Sequence, residues 1–189
     1  MICLVGNRPI LQVGDHQVVA YNVEWIEIAL YRASIAADRD DFPFIAEIRD
    51  GIVHYLENRC PLRLLPIEDL YGRMRRMLER IGCEAIGNHL TILTPPIRVS
   101  LVDPATKTSE DFENCFYQQL LEIVLDLRRL GTEEVIFFEL HEAARTLCGT
   151  KTWDEQCDKT LKEISDFLKK TAEQNSTPDS QLTLTLETA

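Results

Sequence analysis

The sequence lacks most of the short patterns by which enzymes and secreted proteins are identified. It contains no GxGxxG, Walker A, GxSxG or HExxH pattern, and no two cysteines form a CxxC pair. No stretch reaches the roughly eighteen consecutive apolar residues of a membrane-spanning helix. The N-terminal residues carry no basic start, and their apolar run is too short for a secretory signal. We therefore expect a cytoplasmic protein without a membrane span, and the motifs give no support for catalysis.

Basic residues are also scarce. The chain has 20 lysines and arginines against 31 aspartates and glutamates, which gives a formal net charge of −11 and a pI of about 4.8. A protein that binds nucleic acid normally presents a basic face to the phosphate backbone. The charge balance therefore argues against a nucleic-acid partner.

The cysteines do not form a recognisable site. Their positions are Cys3, Cys60, Cys83, Cys115, Cys148 and Cys157. Cys115 and Cys157 fall within apolar helical patterns, which are typical of buried and reduced thiols in a cytoplasmic protein. The spacing of Cys148 and Cys157 from His141 does not match that of a structural zinc site. We expect no disulfide framework, no metal and no cysteine nucleophile.

The remaining composition is that of an ordinary globular protein. Of the 189 residues, 45% are hydrophobic and 27% are charged, which suits one domain or two small ones. Pro95 and Pro96 interrupt the pattern, because two successive prolines exclude regular pairing. We therefore place one domain at residues 1–94 and a second at residues 95–173. Residues 174–189 would form a polar linker and a C-terminal strand.

The first domain shows a strand–turn–strand pattern followed by helices. Asn22 is predicted to cap the first helix and Pro43 to begin the second, while Gly82 ends the third. The predicted elements are strands at Ile2–Val5, Ile10–Val13 and Gln17–Tyr21, a helix after Asn22, a helix after Pro43 with Phe44 and Tyr55 in its apolar stripe, a loop at Cys60–Leu65, a helix from Pro66 to Gly82 and a short helix at Glu84–Ile92.

The second domain shows a strand, a long helix and a nearly continuous apolar strand, which is typical of a βαβ unit with parallel strands. The predicted elements are a strand at Ile97–Val102, a helix that follows Thr108 and Ser109 and ends at Gly131, a strand at Val135–Leu140, a helix at His141–Leu147 and a last helix with a capping box at Thr152 and Glu155.

The C-terminal residues alternate strictly between apolar and polar side chains. Residues 182–187, LTLTLE, form a strand if another strand pairs with them. That strand could extend the protein's own sheet or the sheet of a neighbouring molecule, and it would then serve self-association or a protein partner. The alternative is a disordered tail.

Together these elements predict an α+β fold, with α/β as the alternative. A strand hairpin with a helical bundle would be followed by a small βαβ-type layer. The second layer would either form its own sheet or share one with the N-terminal strands.

With the elements placed, the first half resembles the ATP-cone family. Tyr21-Asn22 stands where the family has Phe-Asp, and Trp25-Ile26, Ala29-Leu30 and Ala33 keep the spacing of its first helix. The segment PIEDLYGRMRRMLERIG resembles a later family helix. The resemblance covers residues 1–92, and it implies a β-hairpin with about four helices. In ribonucleotide reductases this domain senses ATP against dATP, and it also occurs in a bacterial repressor of reductase genes.

The phosphate-binding positions of that family are changed in this chain. The family's Lys-Arg-Asp-Gly falls on residues 13–16, Val-Gly-Asp-His, and its next arginine falls on Gln17. The lysine of its first helix corresponds to Trp25. A triphosphate requires several cations or free backbone N–H groups. The resemblance therefore supports the fold more strongly than ATP binding at this hairpin.

An arginine cluster offers another place for an anion. Residues 59–80 contain six arginines and three acidic residues, a local excess of positive charge in an acidic chain. Arginine side chains suit phosphate or carboxylate recognition, although arginines on a solvated helix face are common.

Residues His141, Glu142 and Arg145 follow a predicted parallel strand, where ligands of such sheets gather. The candidate ligand-binding residues are Arg8, Arg63, Arg73, Arg76, Arg80, His141, Glu142 and Arg145.

Three functional hypotheses follow. The first is a noncatalytic, cytoplasmic binding or regulatory protein whose ATP-cone-like domain makes protein contacts and needs no cofactor. The second is a nucleotide sensor that holds ATP or dATP with Arg8 and the arginines of residues 59–80. The third is an enzyme of unknown class centred on His141 and Glu142, since histidine and glutamate can act as acid and base.

Overall fold

The protein has an α+β fold, as the sequence predicts. The computed structural model describes residues 7–107, 113–150, 152–175 and 182–187. The chain divides into two compact units, residues 1–95 and 96–189. Within the described residues each unit contains its own three-stranded sheet, so the alternative of one sheet shared by both halves is wrong. No helix among the described residues is long and apolar enough to cross a membrane.

The first unit consists of a small sheet and four helices. Its elements are β1 (Ile10–Val13), β2 (His16–Val18), α1 (Glu24–Ala36), α2 (Ile45–Asn58), β3 (Leu64–Pro66), α3 (Ile67–Arg80) and α4 (Glu84–Asn88). The predicted hairpin is confirmed, because β1 and β2 pair antiparallel with Val13 opposite His16. Gly14 adopts a φ of 56°, which this two-residue turn requires and which glycine accepts without strain. The strand predicted at Ile2–Val5 lies outside the described residues.

The prediction of a loop at Cys60–Leu65 is wrong at its end. Residues Leu64–Pro66 form β3, which runs parallel to β1 with Leu65 opposite Leu11. The Ile10 N–H donates to the Arg63 carbonyl at 2.8 Å, and Leu65 is fully buried. A strand of three residues between two prolines is too short to show an alternating pattern. It forms because the free edge of β1 supplies its hydrogen-bond partners.

The predicted Asn22 cap is also wrong. Helix α1 follows Val23, and no side chain caps it. The Asn22 amide donates to a Glu24 carboxylate oxygen at 3.3 Å, and the Asn22 carbonyl accepts from the Trp25 indole N–H at 3.0 Å. Trp25 is buried and stacks on Tyr71 with ring centroids 6.3 Å apart. A bulky core side chain therefore directs the start of the helix.

The second and fourth helices are shorter than predicted. Helix α2 begins at Ile45, two residues after Pro43, and Phe44 is 56% exposed although it was placed in the apolar stripe. Helix α4 ends at Asn88, before the predicted Ile92. The third helix matches its prediction closely. It follows Pro66 and ends at Arg80, before Gly82 with a φ of 79°.

The hydroxyl group of Tyr71 fixes the last residues of the first unit. Tyr71 lies fully buried on α3 and donates to the Leu93 carbonyl at 2.8 Å. The same hydroxyl accepts from the Leu93 N–H, also at 2.8 Å. Burial raises the pKa of Tyr71 far above its usual range, so the group stays neutral and can make both bonds. Tyr71 therefore connects α3 to the segment that leads to the two prolines.

The second unit consists of a parallel sheet and four helices. Its elements are β4 (Ile97–Ser100), α5 (Val102–Lys107), α6 (Glu113–Arg129), β5 (Glu134–Phe138), α7 (Leu140–Cys148), α8 (Glu155–Asn175) and β6 (Thr183–Leu186). The predicted βαβ unit is confirmed, since β4 pairs parallel with β5 through Ile97 and Val135. The helix start predicted after Thr108 and Ser109 lies outside the described residues.

Three boundaries in the second unit differ from prediction. Val102 begins the short helix α5, where a strand end was predicted, and Pro104 is tolerated because it lies in the first turn. Leu140 begins α7 and does not end β5, because Glu139 has a φ of 63° that breaks the strand. The first turn of α8 is capped by Asp154, which accepts from the Cys157 N–H at 3.0 Å. The predicted capping box at Thr152 and Glu155 is therefore wrong.

The C-terminal strand belongs to the sheet of its own unit. Strand β6 pairs parallel with β5, with Leu184 opposite Val135, so the predicted strand forms and the alternative of a disordered tail is wrong for residues 183–186. The Glu187 N–H donates to the Phe137 carbonyl at 2.9 Å. The Arg98 guanidinium binds both carboxylate oxygens of Glu187, at 2.6 and 2.5 Å, and stacks on the Phe138 ring. This clamp connects the two outer strands across β5.

Candidate functional site

Helices α2 and α3 enclose a groove in the first unit. The groove has a volume of about 370 Å³. Its lining residues recur at helical spacing on the facing sides of the two helices: Gly51, Ile52, Tyr55, Leu70, Arg73, Met74, Arg76, Met77 and Arg80. The side chains of Ile52, Leu70 and Met74 are buried and form an apolar floor. The arginines project from successive turns of α3 above that floor.

The described part of the chain does not neutralise the three groove arginines. Among the described residues, no carboxylate lies within ion-pair distance of Arg73, Arg76 or Arg80. By contrast, Arg49 pairs with both Glu27 and Asp50. Like charges three or four residues apart on a helix repel each other by a few tenths of a kcal/mol. An anion in the groove would relieve this repulsion and bind several guanidinium groups at once.

Tyr55 contributes an aromatic ring and an unpaired hydroxyl group to the groove. The Arg73 guanidinium carbon lies 5.8 Å from the centre of its ring, within the range of a cation–π contact. The hydroxyl oxygen is buried and has no hydrogen-bond partner among the described residues. Burial raises the pKa of Tyr55, the nearby Cys60 thiol adds to the increase, and the Arg73 charge opposes it. Tyr55 therefore contributes an aromatic ring and a neutral hydroxyl group to the lining of the groove.

Gly51 leaves the α2 side of the groove open. A Cβ atom added at this position would meet no other atom within 4 Å. Glycine inside a helix costs about 0.5–1 kcal/mol relative to alanine. The glycine at position 51 therefore lowers the stability of α2 and keeps space free in the groove. Sequence analysis missed both Gly51 and Tyr55, although the interruption of the α2 apolar stripe by a glycine was a visible signal.

Two of the predicted ligand-binding arginines of the first unit lie outside the groove. The Arg8 side chain donates to Glu57 Oε1 from Nε at 2.9 Å and from Nη2 at 2.7 Å, and it also contacts the Tyr21 carbonyl. Burial raises the pKa of Tyr21 to about 12, although the Arg8 charge opposes the shift. The Arg63 side chain is exposed and does not line the groove. Of the predicted ligand-binding arginines, the structure brings Arg73, Arg76 and Arg80 together in the groove.

The β1–β2 hairpin carries no lysine or arginine between residues 10 and 18. Val13 is fully buried in the core. Burial lowers the pKa of His16, and the carboxylate of Asp15 only partly opposes that shift. A neutral histidine beside an acidic residue is a poor phosphate ligand.

The predicted group in the second unit does not converge into a site. Within the described residues, no hydrogen bond or ion pair joins His141, Glu142 and Arg145. Glu142 and Arg145 are exposed, while the buried His141 Nδ1 has no hydrogen-bond partner in the part of the chain that the structure describes. The His141 ring lies 5.0 Å from the ring of Trp153. No cluster of metal-ligating residues is found in the described parts of either unit.

A second depression lies beside an exposed stripe of α1. Its volume is about 540 Å³, and its lining consists of Glu24, Glu27, Ile28, Tyr31, Arg32 and Ile45. On the same helix face Ile28, Tyr31 and Ile35 are 44%, 52% and 47% exposed. Apolar side chains grouped on one face of a helix mark a contact surface more often than isolated ones do.

Comparison with known proteins gives no relative: no family model, no curated protein and no solved structure matches the chain.

Proposed function

We propose that this chain is a noncatalytic binding protein that takes a small polyanion in the groove between α2 and α3. The observation that carries the proposal is the set Arg73, Arg76 and Arg80, which line an apolar-floored groove without acidic partners. Guanidinium groups bind phosphate oxygens in a planar, two-point geometry. The volume of about 370 Å³ falls in the usual range for small-molecule sites.

A nucleoside triphosphate is the ligand class that suits this groove best. The three arginines would take the phosphates, and the ring of Tyr55 with the side chains of Met74 and Met77 would contact the base. The resemblance of residues 1–92 to the ATP-cone family supports the same class. The site would nevertheless differ from the family's hairpin site, because its cations come from α3.

Occupancy of the groove would be sensed through α3, which gives the protein a regulatory role. Arg73 faces the groove, while Tyr71 on the same helix binds both backbone groups of Leu93. A ligand that draws α3 toward α2 would therefore displace Leu93 and the residues after it. Such a displacement is a physical route from ligand binding to a change elsewhere in the chain.

A ligand panel with a blocking variant tests the proposal. Isothermal titration calorimetry with ATP, dATP, ADP and tripolyphosphate should give the strongest binding for the two nucleoside triphosphates. Gly51→Leu should abolish binding by filling the groove. Gly72→Leu is the matched control. Gly72 also has open space around it, but it does not line the groove. Leucine favours helix in both variants, so both should remain folded. Absence of binding to all four ligands contradicts the proposal.

A second candidate function is self-association through the exposed stripe of α1. In an antiparallel pair of α1 helices around a twofold axis, Ile28 would face Tyr31 of the second copy and Glu27 would face its Arg32. Each copy would thus place an acidic residue of α1 opposite a basic residue of the other copy. Three side chains bury less area than a stable dimer needs, so the pair would be weak.

Light scattering over a range of protein concentrations tests this second candidate. The average mass should rise with concentration, and Tyr31→Glu should hold the protein at the mass of one chain. Ile81→Glu is the control, because Ile81 is similarly exposed at 53% but lies away from the stripe, at the end of α3. A constant mass for the unmodified protein contradicts self-association.

A further inference from the structure

Two cysteines of the second unit come together between α7 and α8. Cys148 ends α7, and Cys157 lies in the first turn of α8. The Cys148 Sγ is 3.3 Å from the Thr160 hydroxyl, and the Cys157 Sγ is 3.4 Å from the Thr150 hydroxyl. The Cys148 sulfur therefore contacts the threonine three residues after Cys157, and the Cys157 sulfur contacts the threonine two residues after Cys148. The two contacts thus cross.

The crossed contacts bring the two sulfur atoms toward each other. Thr160 and Cys157 lie three residues apart and therefore on the same side of α8, so the Cys148 sulfur approaches the side of the helix that carries Cys157. The two thiols also interact electrostatically: burial raises the pKa of Cys148, and the Cys157 thiol adds to the increase. Gly149, with a φ of 66°, gives the chain between them a sharp turn.

We propose that Cys148 and Cys157 form a redox-active pair that closes into an intramolecular disulfide when the folded protein meets a small disulfide oxidant such as oxidised glutathione. The Cys148 side chain is the entry point, since it is part-exposed whereas Cys157 is fully buried. Reversible closure would make this unit responsive to the thiol–disulfide state of its surroundings.

The reaction balances with one molecule of oxidant. The Cys148 thiolate attacks one sulfur of oxidised glutathione, a mixed disulfide forms, and one glutathione thiolate leaves. The Cys157 thiolate then attacks the Cys148 sulfur, and the second glutathione thiolate leaves. The protein loses two electrons and two protons, and the oxidant is reduced to two molecules of glutathione.

Trp153 lies in the chain segment that the disulfide would close. Its ring is 5.0 Å from the His141 ring, and its indole N–H donates to Asp158 at 2.8 Å. Closure of the ring between residues 148 and 157 would move Trp153 against these two partners. The fluorescence of Trp153 should therefore change on oxidation and return on reduction. 

Peptide mapping of the oxidised full-length protein tests the proposal. The folded protein is treated with oxidised glutathione in mildly alkaline buffer, its remaining thiols are alkylated, and its peptides are analysed by mass spectrometry. The expected result is a direct link between Cys148 and Cys157, with the other four of the six cysteines alkylated. Cys157→Ser should instead retain glutathione on Cys148.

The controls separate this pair from general thiol oxidation. Cys115 is exposed on α6, so the expectation that it is buried is wrong. Cys115→Ser removes this exposed thiol and should leave the link and its yield unchanged. The proposal is overturned if the link forms only after the protein is unfolded with denaturant. It is overturned equally if glutathione accumulates on Cys115 while Cys148 and Cys157 are recovered as free thiols.

Discussion

Two tyrosines of the first unit differ in what their hydroxyl groups contact. Tyr71 binds both backbone groups of the buried Leu93, whereas the buried hydroxyl of Tyr55 has no partner among the described residues. Tyr71→Phe should therefore lower the free energy of unfolding by about 1–3 kcal/mol, because it leaves a buried N–H and C=O unpaired. Tyr55→Phe removes no bond and should change that free energy by less than about 0.5 kcal/mol.

Urea denaturation of the two variants beside the unmodified protein measures the difference. Equal losses of stability would mean that the Tyr55 hydroxyl is bonded within the protein and is not free for a ligand. A large loss for Tyr71→Phe alone would agree with the structure.

Residue-level contacts of this kind could be predicted from the sequence only in part. Spacing on one helix was sufficient to group Arg73, Arg76 and Arg80, since that spacing is local to α3. Sequence spacing could not show that Glu57 neutralises Arg8, because 49 residues separate them. Tyr55 fits an apolar stripe by its position, and only the facing helix gives its ring and hydroxyl a role.

At the scale of single elements, the clamp between Arg98 and Glu187 connects the outer strands of the parallel sheet. Its hydrogen bond to Arg98 holds the pKa of Glu187 below its usual range. A carboxylate with a lowered pKa in the folded state stabilises the protein above its unfolded pKa and stops doing so as pH falls through the folded value. Arg98→Gln should therefore lower the melting temperature by a few degrees at neutral pH.

That difference between the Arg98→Gln variant and the unmodified protein should vanish in acid, below the pKa of the folded Glu187. Thermal denaturation at neutral and strongly acidic pH measures it. Arg129→Gln is the control, since Arg129 pairs with Asp126 on one exposed helix face and connects no strands. A difference that persists unchanged in acid would show that Arg98 acts by packing on Phe138 and not through its charge.

Elements with a long or regular pattern were predicted well, and short ones were not. Helix α3 was found because its apolar stripe runs over fourteen residues between Pro66 and Gly82. Strands β4 and β5 were recognised as parallel from their apolar runs. Strand β3 and helix α5 were missed, because three and six residues are too few to establish a period and both contain a proline. Their structure depends on neighbouring strands and on burial.

On the scale of the whole molecule, each compact unit has its own sheet and its own core. All the lining residues of the groove belong to the first unit. A fragment of residues 1–95 should therefore fold cooperatively and bind ATP with the affinity of the full chain, within about threefold. Circular dichroism and calorimetry on the fragment measure both properties. An unfolded fragment would show that the two units depend on each other for stability.

The net charge of the whole molecule also distinguishes anion binding at a specific site from nonspecific electrostatic attraction of anions. A chain with a net charge of −11 repels anions overall, so a polyanion can bind only where positive side chains are concentrated. Binding that depends on three particular arginines should weaken as salt is added, because salt screens their charges. Arginines outside the groove should have little influence on the affinity.

The measurement that tests the groove most directly is calorimetric titration of ATP into the unmodified protein, Arg76→Gln and Arg63→Gln. Arg76 lines the groove, whereas Arg63 is exposed outside it. A charged hydrogen bond is worth about 1.5–3 kcal/mol, so Arg76→Gln should weaken binding about ten- to a hundredfold. Arg63→Gln should leave the affinity unchanged. Equal affinities for all three proteins, or no binding to any of them, would contradict the assignment of the groove as an anion site.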